Sequence, residues 1–372
     1  MIREGKFGFA ETFSLLFISN IYRMFLTVPA YAVEQGKTTG WLLILLGTLN
    51  GVLVFWMITL LMKRHANKTL VEATEEILGP YLGTVVNIFF SLYFINVLFI
   101  VHRSYSEAIL TTALPQTPIS AVLTIFILGA IISCYYGLEA MARVARVSVT
   151  FILLGLLILF VSLLPRVDID FLFPIWSMGL GEAWFLAGKH HSGFSEGLLA
   201  ALIVQAAGGW QNIRKAGVTA ILVGGFFLMM VVLFAISIFG TRSVTEILLP
   251  FFDLSQTIKL GRFFQRLEAV FLLTWAMVGF IKIAVSLYAA TVIMARIFRL
   301  KDYRPLLWIM AVLSYNLAIL PPDMASATAI ENNYLLTWGL VTTALLPALL
   351  LVVSVWRKKG GGMPDEQDQK SS

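Results

Sequence analysis

Apolar residues run along this chain in long stretches, separated by short polar or Gly- and Pro-containing joints. A helix needs ~20 apolar residues to cross a hydrocarbon core of ~30 Å, so the long stretches predict transmembrane helices. Ten are predicted, over residues 8–33, 40–62, 82–113, 118–135, 141–164, 184–210, 216–239, 265–297, 304–320 and 333–356. Two joints carry a pattern of their own. In residues 63–83, Leu70, Ala73, Ile77 and Leu78 recur at helical spacing opposite Glu72, Glu75 and Glu76, and Gly79 and Pro80 end the run. This predicts an interfacial helix on the inner face. Residues 242–264 are also amphipathic but broken by Pro250, which predicts a folded outer loop or lid.

Ten spans divide into five plus five. Because five is odd, the second half enters the membrane from the opposite side, giving an inverted repeat. In such transporters the first helix of each repeat is interrupted, and its free backbone groups line a midplane cavity. Spans 1 and 6 are the irregular ones here: span 1 holds Ser19, Asn20, Arg23, Thr27 and Pro29, and span 6 holds "GKHHSGFSEG" at 188–197. Helices 1 and 6 are therefore expected to be discontinuous. The competing reading makes "GKHHSG" an outer loop before a shorter span.

Composition agrees with a membrane protein: 59% of residues are hydrophobic and 13% charged, too apolar for a soluble domain. With the N-terminus inside, 17 of the 27 Lys and Arg fall in inner joints and termini and seven in outer ones. Both termini are thus expected to be cytoplasmic. The same asymmetry, facing anionic lipid, explains the net charge of +6 without nucleic acid. No removable signal peptide is expected. Residues 1–359 read as one membrane-embedded unit and 360–372, which lack apolar content, as a disordered tail. Cys134 is the sole cysteine, which excludes an intrachain disulfide. The sequence has no phosphate loop, zinc-binding pair or nucleophile–base arrangement, so neither an enzyme nor a cofactor or metal site is expected.

The ionisable residues inside spans are the candidates for function, because a charge at mid-bilayer costs ~3 kcal/mol or more unless paired or hydrated. Arg23 either enters a protein-lined cavity, where its fork holds a carboxylate of a ligand or of Glu196, or extends to the outer interface. Lys282, in span 8, either faces the cavity or snorkels. Arg103 and Glu107, four apart in span 3, read as a structural pair. Arg266 and Glu268 read as a tie between the outer loop and the bundle. His190 and His191 are either a pH-sensitive gate or a solvated loop. Tyr93, Asn96 and Val97 are spaced to present a partly polar face inward, serving core packing or ligand contact.

The motifs "GW" (40–41), "TLVEATEEILGPYLG" (69–83), "RSYSEAI" (103–109) and "QTPISAV" (116–122) resemble the B subunit of spore germinant receptors. So do "GLEAMARVARV" (137–147), "GFSEGLL" (193–199), "QRLEAVFLLTW" (265–275) and "LPPD" (320–323), in order over residues 8 to 357. The resemblance implies the amino acid, polyamine and organocation transporter superfamily, with an all-α, leucine-transporter-like fold. It implies a place in the inner membrane of a bacterial endospore, and a role in sensing a small nutrient, commonly an amino acid. It further implies partnership with an A subunit and a lipoprotein C subunit. A working secondary transporter, coupled to protons or another ion, is the alternative, with a membrane scaffold third.

One departure stands out. The superfamily often has a Gly-rich segment at the span 1 break, where this chain has Tyr22, Arg23 and Met24. The candidate ligand-binding residues are Asn20, Tyr22, Arg23 and Met24 in span 1, Tyr93 and Val97 in span 3, Gly193, Phe194, Ser195 and Glu196 in span 6, and Lys282 in span 8.

Overall fold

A computed structural model describes residues 5–66, 68–188, 194–258, 268–331 and 336–359, and it is all-helical over them. Helix α1 (Phe9–Ile21) begins after Gly8, whose N–H donates to Glu11 Oε2 at 3.1 Å. It tightens into a 3₁₀ turn at Tyr22–Phe25, and Leu26 is extended. Helix α2 (Val28–Gly36) restarts with Pro29 in its first turn, where a missing N–H does no harm. Helix α3 (Gly40–Arg64) crosses back. Helix α4 (Leu70–Leu78) is the amphipathic joint, with Leu70, Ala73 and Ile77 buried as its spacing requires. Gly79, at φ +89°, ends it and Pro80 starts α5 (Pro80–Thr112). That turn needs a residue free to adopt a left-handed φ.

Helices α6 (Ile119–Tyr136) and α7 (Leu138–Leu163) follow, then two 3₁₀ turns and α8 (Leu180–Ala187). The chain resumes as α9 (Phe194–Leu202) and, past Gly208 and Gly209, as α10 (Trp210–Glu246). Helix α11 (Pro250–Thr257) is short, and α12 (Glu268–Ile297) and α13 (Arg304–Ile319) are long. Helices α14 (Met324–Ile330), α15 (Leu336–Leu340) and α16 (Leu346–Trp356) complete the fold, the last two joined by a π turn at Val341–Leu345.

The helices form two packed groups. In one, α1, α3, α9 and α10 pack on one another; in the other, α5, α6, α12 and α13 do, and α7 touches α1, α6 and α12. Counted as spans, 1 meets 6, 2 meets 7, 3 meets 8 and 4 meets 9. This pairing of corresponding helices fits the five-plus-five repeat. Small residues allow the close approach that lipid-embedded helices need in place of a hydrophobic driving force. A Cβ on Gly225 of α10 would lie 2.2 Å from Thr48 Oγ1 of α3, and one on Gly224 2.3 Å from Asn20 Oδ1 of α1. Toward lipid, apolar side chains such as Ile125, Phe151 and Val352 are exposed.

Seven helices among the described residues are long and apolar enough to cross a membrane unaided. Spans 1, 6 and 9 fall short as single helices: α1 has 13 residues, α9 has 9 and α13 has 16. The junction of spans 9 and 10 is more elaborate than the expected turn between 320 and 333, because α14 lies there, bent by 115° from α13. Arg103, on α5, holds this bend. It pairs with Glu107 (2.7 Å) and donates to the carbonyl oxygens of Ala318 (3.2 Å) and Pro322 (3.1 Å). Glu107 in turn accepts from the N–H of Met324 at 2.8 Å.

The expected outer loop at 242–264 is shared between α10, which runs on to Glu246 past a kink at Gly240, and the buried α11. Arg266, His190, His191 and the 360–372 tail lie outside the described residues. The two described ends share one face of the molecule. Phe7 donates its N–H to Ala206 O (2.9 Å) and Gln205 reaches Glu72 (3.3 Å) of α4, where Arg357 Nη1 also donates to Ile77 O (3.0 Å).

Candidate functional site

The break in span 1 places Tyr22, Arg23 and Met24 in a single 3₁₀ turn, so the backbone there lacks a complete helical ladder. One freed group is satisfied from outside: Tyr105 of α5 donates its hydroxyl to Tyr22 O at 3.1 Å. Gly279 of α12 makes room for that tyrosine, since a Cβ there would stand 2.0 Å from the Tyr105 ring. Trp275, one turn earlier on α12, lies with its ring centroid 5.6 Å from that of Tyr105.

Against this turn sits a buried cluster of charge. Lys282 Nζ lies 2.9 Å from Ser19 Oγ and 3.2 Å from Glu196 Oε1, and Ser19 Oγ also donates to Glu196 Oε1 at 3.2 Å. Lys282 is 2% exposed and Glu196 1%. The Lys282 ammonium is also 4.4 Å from the centroid of the Tyr22 ring, and Arg23 Cζ lies 5.5 Å from the same ring. One aromatic ring thus faces two cations, a favourable arrangement through the negative potential of its face. Arg23 Nε donates to Tyr22 Oη at 3.2 Å, and its two terminal nitrogens have no hydrogen-bond partner among the described residues.

Lys282 does not snorkel, because its ammonium is held in the interior by Ser19 and Glu196. Arg23 is half-buried and lies beside the Tyr22 ring that Lys282 also faces. Glu196 forms an ion pair with Lys282 at 3.2 Å. Arg103 and Glu107 pair structurally as their spacing predicts.

The structure brings together Tyr22, Arg23, Tyr93, Glu196 and Lys282. Met24 and Val97 are buried beside them in the same core. Asn20 faces Gly224 of α10, buried but with no hydrogen-bond partner for its amide among the described residues. Asn96 differs from expectation: its amide turns back to Leu92 O at 2.8 Å. Phe194 and Ser195 open α9, and Gly193 lies outside the described residues.

Glu331, at the end of α14, was not foreseen. Its carboxylate is within electrostatic reach of Arg23, Lys282 and Tyr22. The described site therefore balances two cations, Arg23 and Lys282, against two carboxylates, Glu196 and Glu331. In sequence, Glu331 falls between the predicted spans 9 and 10. Only the bend at α14 carries Glu331 inward.

Against the break lies an aromatic layer. Phe251 of α11 has its ring centroid 5.4 Å from Phe25 and 5.2 Å from Phe271, which continues to Trp275 at 5.8 Å. Such contacts add to the burial of large apolar surface.

Comparison with known proteins follows this geometry. A solved structure of a Na⁺-coupled sialic acid symporter, in a substrate-bound outward-open state, superposes with a TM-score of 0.64 at 12% identity, covering 90% of this chain and 78% of that one. The likeness is one of fold, that of the leucine-transporter type. Among curated proteins, spore germination protein KB of Bacillus subtilis (strain 168) is 25% identical, covering 96% of this chain and 97% of its own length. Spore germination protein B2 of the same organism is 24% identical over 96% and 98%. Spore germination protein YndE is 26% identical over 90% and 92%. The family model described as "Spore germination protein" matches residues 6–324, most of the chain and the whole of the site up to α14. With that match the membrane fold and its broken helices acquire a lineage: this chain belongs to the spore germination protein family.

Proposed function

We propose that the chain is the nutrient-sensing subunit of a spore germinant receptor and binds a small zwitterion, such as an amino acid, at the break of span 1. The observation that carries this reading is Arg23, whose terminal nitrogens point into a charged interior without a partner among the described residues. A guanidinium fork in that position matches a carboxylate with two charge-assisted hydrogen bonds. Glu331 supplies the opposite charge for a ligand ammonium, and the Asn20 amide offers a further polar contact. Tyr22 and Met24 occupy space that glycines would leave open, which restricts the ligand to a small or extended side chain.

The reading places the chain in the inner spore membrane, with both termini cytoplasmic and with A and lipoprotein C subunits as partners. The transporter-type fold favours a second reading, flux of the same ligand across the membrane. Equilibrium binding of a labelled amino acid panel to the purified chain in nanodiscs, alongside flux in proteoliposomes, separates them. Saturable binding abolished by Arg23→Ala without flux supports the sensor. Binding with flux supports the transporter, and binding unaffected by Arg23→Ala overturns the site.

A further inference from the structure

We propose that the Lys282 ammonium is a built-in cation between the two broken helices, so that this chain needs no alkali ion to hold its site together. The inference concerns the interior ion, not the nutrient, and stands apart from the ligand reading.

A lysine in a membrane interior is unfavourable by ~3 kcal/mol or more unless its charge is matched. Here the match includes, among the described residues, the Ser19 hydroxyl at 2.9 Å, the Glu196 carboxylate at 3.2 Å and the face of Tyr22 at 4.4 Å. Ser19 and Tyr22 flank the end of α1 at the break in span 1, Glu196 lies in the first turn of α9 after the break in span 6, and Lys282 comes from the continuous α12. One charged atom therefore joins both interrupted helices to a helix of the other packed group.

The groups around it are hydroxyl oxygen, carboxylate oxygen and an aromatic face. These are also the groups that receive a small monovalent cation arriving from solution, since hard oxygen donors and ring faces both favour positive charge. The solved structure with the same fold is described as Na⁺-coupled. In this chain the position next to Ser19 and Glu196 is filled by a nitrogen that cannot diffuse away. Arg23 and Glu331 also act on the ammonium, one from each sign, so it adds no net charge to the pair of carboxylates and the guanidinium beyond neutrality.

The test needs no nutrient. Thermal unfolding of the purified full-length chain in nanodiscs is compared in NaCl, KCl and choline chloride at equal ionic strength. The wild type is expected to unfold at the same temperature in all three. Lys282→Ala is expected to unfold several degrees lower in choline chloride and to recover in n-propylammonium chloride, with partial recovery in NaCl or KCl. Where Lys282→Ala yields no folded protein in choline chloride, recovery of folded protein in n-propylammonium chloride is the same readout. Lys282→Ala combined with Glu196→Gln, which removes the carboxylate as well, is expected to unfold at one temperature whichever cation is present. The proposal is overturned if wild type is stabilised by Na⁺ or K⁺ over choline, if Lys282→Ala responds to none of the cations, or if the double variant retains the response of Lys282→Ala.

Discussion

The hydroxyl of Tyr105 closes on the carbonyl oxygen of Tyr22 at 3.1 Å, so a residue of span 3 completes the backbone that the break in span 1 leaves open. An unmet buried carbonyl costs about 1–3 kcal/mol. Tyr105→Phe should therefore lower the stability of the detergent-solubilised chain by roughly that amount. Gly279→Ala should do at least as much, because its Cβ meets the Tyr105 ring. In a double-mutant cycle the two effects should fall well short of additive, since both remove one contact. Thermal unfolding of the four proteins checks this, and simple additivity would separate Gly279 from the tyrosine.

Arg23→Lys keeps the charge and loses the planar fork. If the fork holds the ligand carboxylate, Arg23→Lys should weaken amino acid binding by about tenfold or more, and Arg23→Ala further, with folded yield preserved in Arg23→Lys. Binding isotherms read together with size-exclusion profiles measure it. In spores, the same variants should slow germination with one nutrient class and leave vegetative growth unchanged.

Arg103 is 5% exposed and bonds two carbonyl oxygens at the α13–α14 bend. Arg103→Ala leaves Glu107 without its cation and these carbonyls without a donor, and it should destabilise by about 3 kcal/mol or more. Because the bend carries Glu331, ligand binding should fall with it. Proteolysis or unfolding assays and binding on the same preparation report both effects.

Glu76 of α4 accepts from His65 Nδ1 and pairs with Lys68, each at 2.6 Å. Burial pushes its carboxyl up, but the bonds from Lys68 and His65 outweigh burial and hold it below its ordinary 4.5. A depressed folded value stabilises the fold above the unfolded value, and that contribution is lost as pH falls from about 4.5 through the lower folded value. Glu76→Gln should remove this segment of the pH–stability curve and leave the curve near neutral pH with no added slope. Unfolding midpoints across an acid series test it.

Much of this arrangement was legible in the chain because the membrane makes charge expensive. Arg23, Arg103, Glu196 and Lys282 stand out against apolar neighbours, and the breaks in spans 1 and 6 are written in polar residues, Gly and Pro. Partner choice was less legible. Nothing in spacing tells Glu196 to prefer Lys282 over Arg23, as this depends on how α1, α9 and α12 cross. Tyr105 and Glu331 were hidden for opposite reasons. Tyr105 is one of several aromatic residues in span 3 and Glu331 falls between predicted spans 9 and 10; Gly279 and the bend at α14 give each its direction. His65 likewise read as a loop residue, yet it is buried between Glu76 and Ser354, with Nε2 2.8 Å from the serine hydroxyl.

The N-terminal segment and the central cluster fasten the same two half-helices at different heights. Near the face that carries both chain ends, the Phe7 N–H meets Ala206 O just past α9; farther along, Ser19 of α1 meets Glu196 of α9. A door hung on one pin can turn freely, but two pins along its edge leave a single axis. Helix α1 and helix α9 are pinned in this way, so neither can swing alone without breaking a rung. Any opening toward that face must carry both as one leaf, and a force applied at the N-terminal segment is delivered directly to the atoms around Lys282.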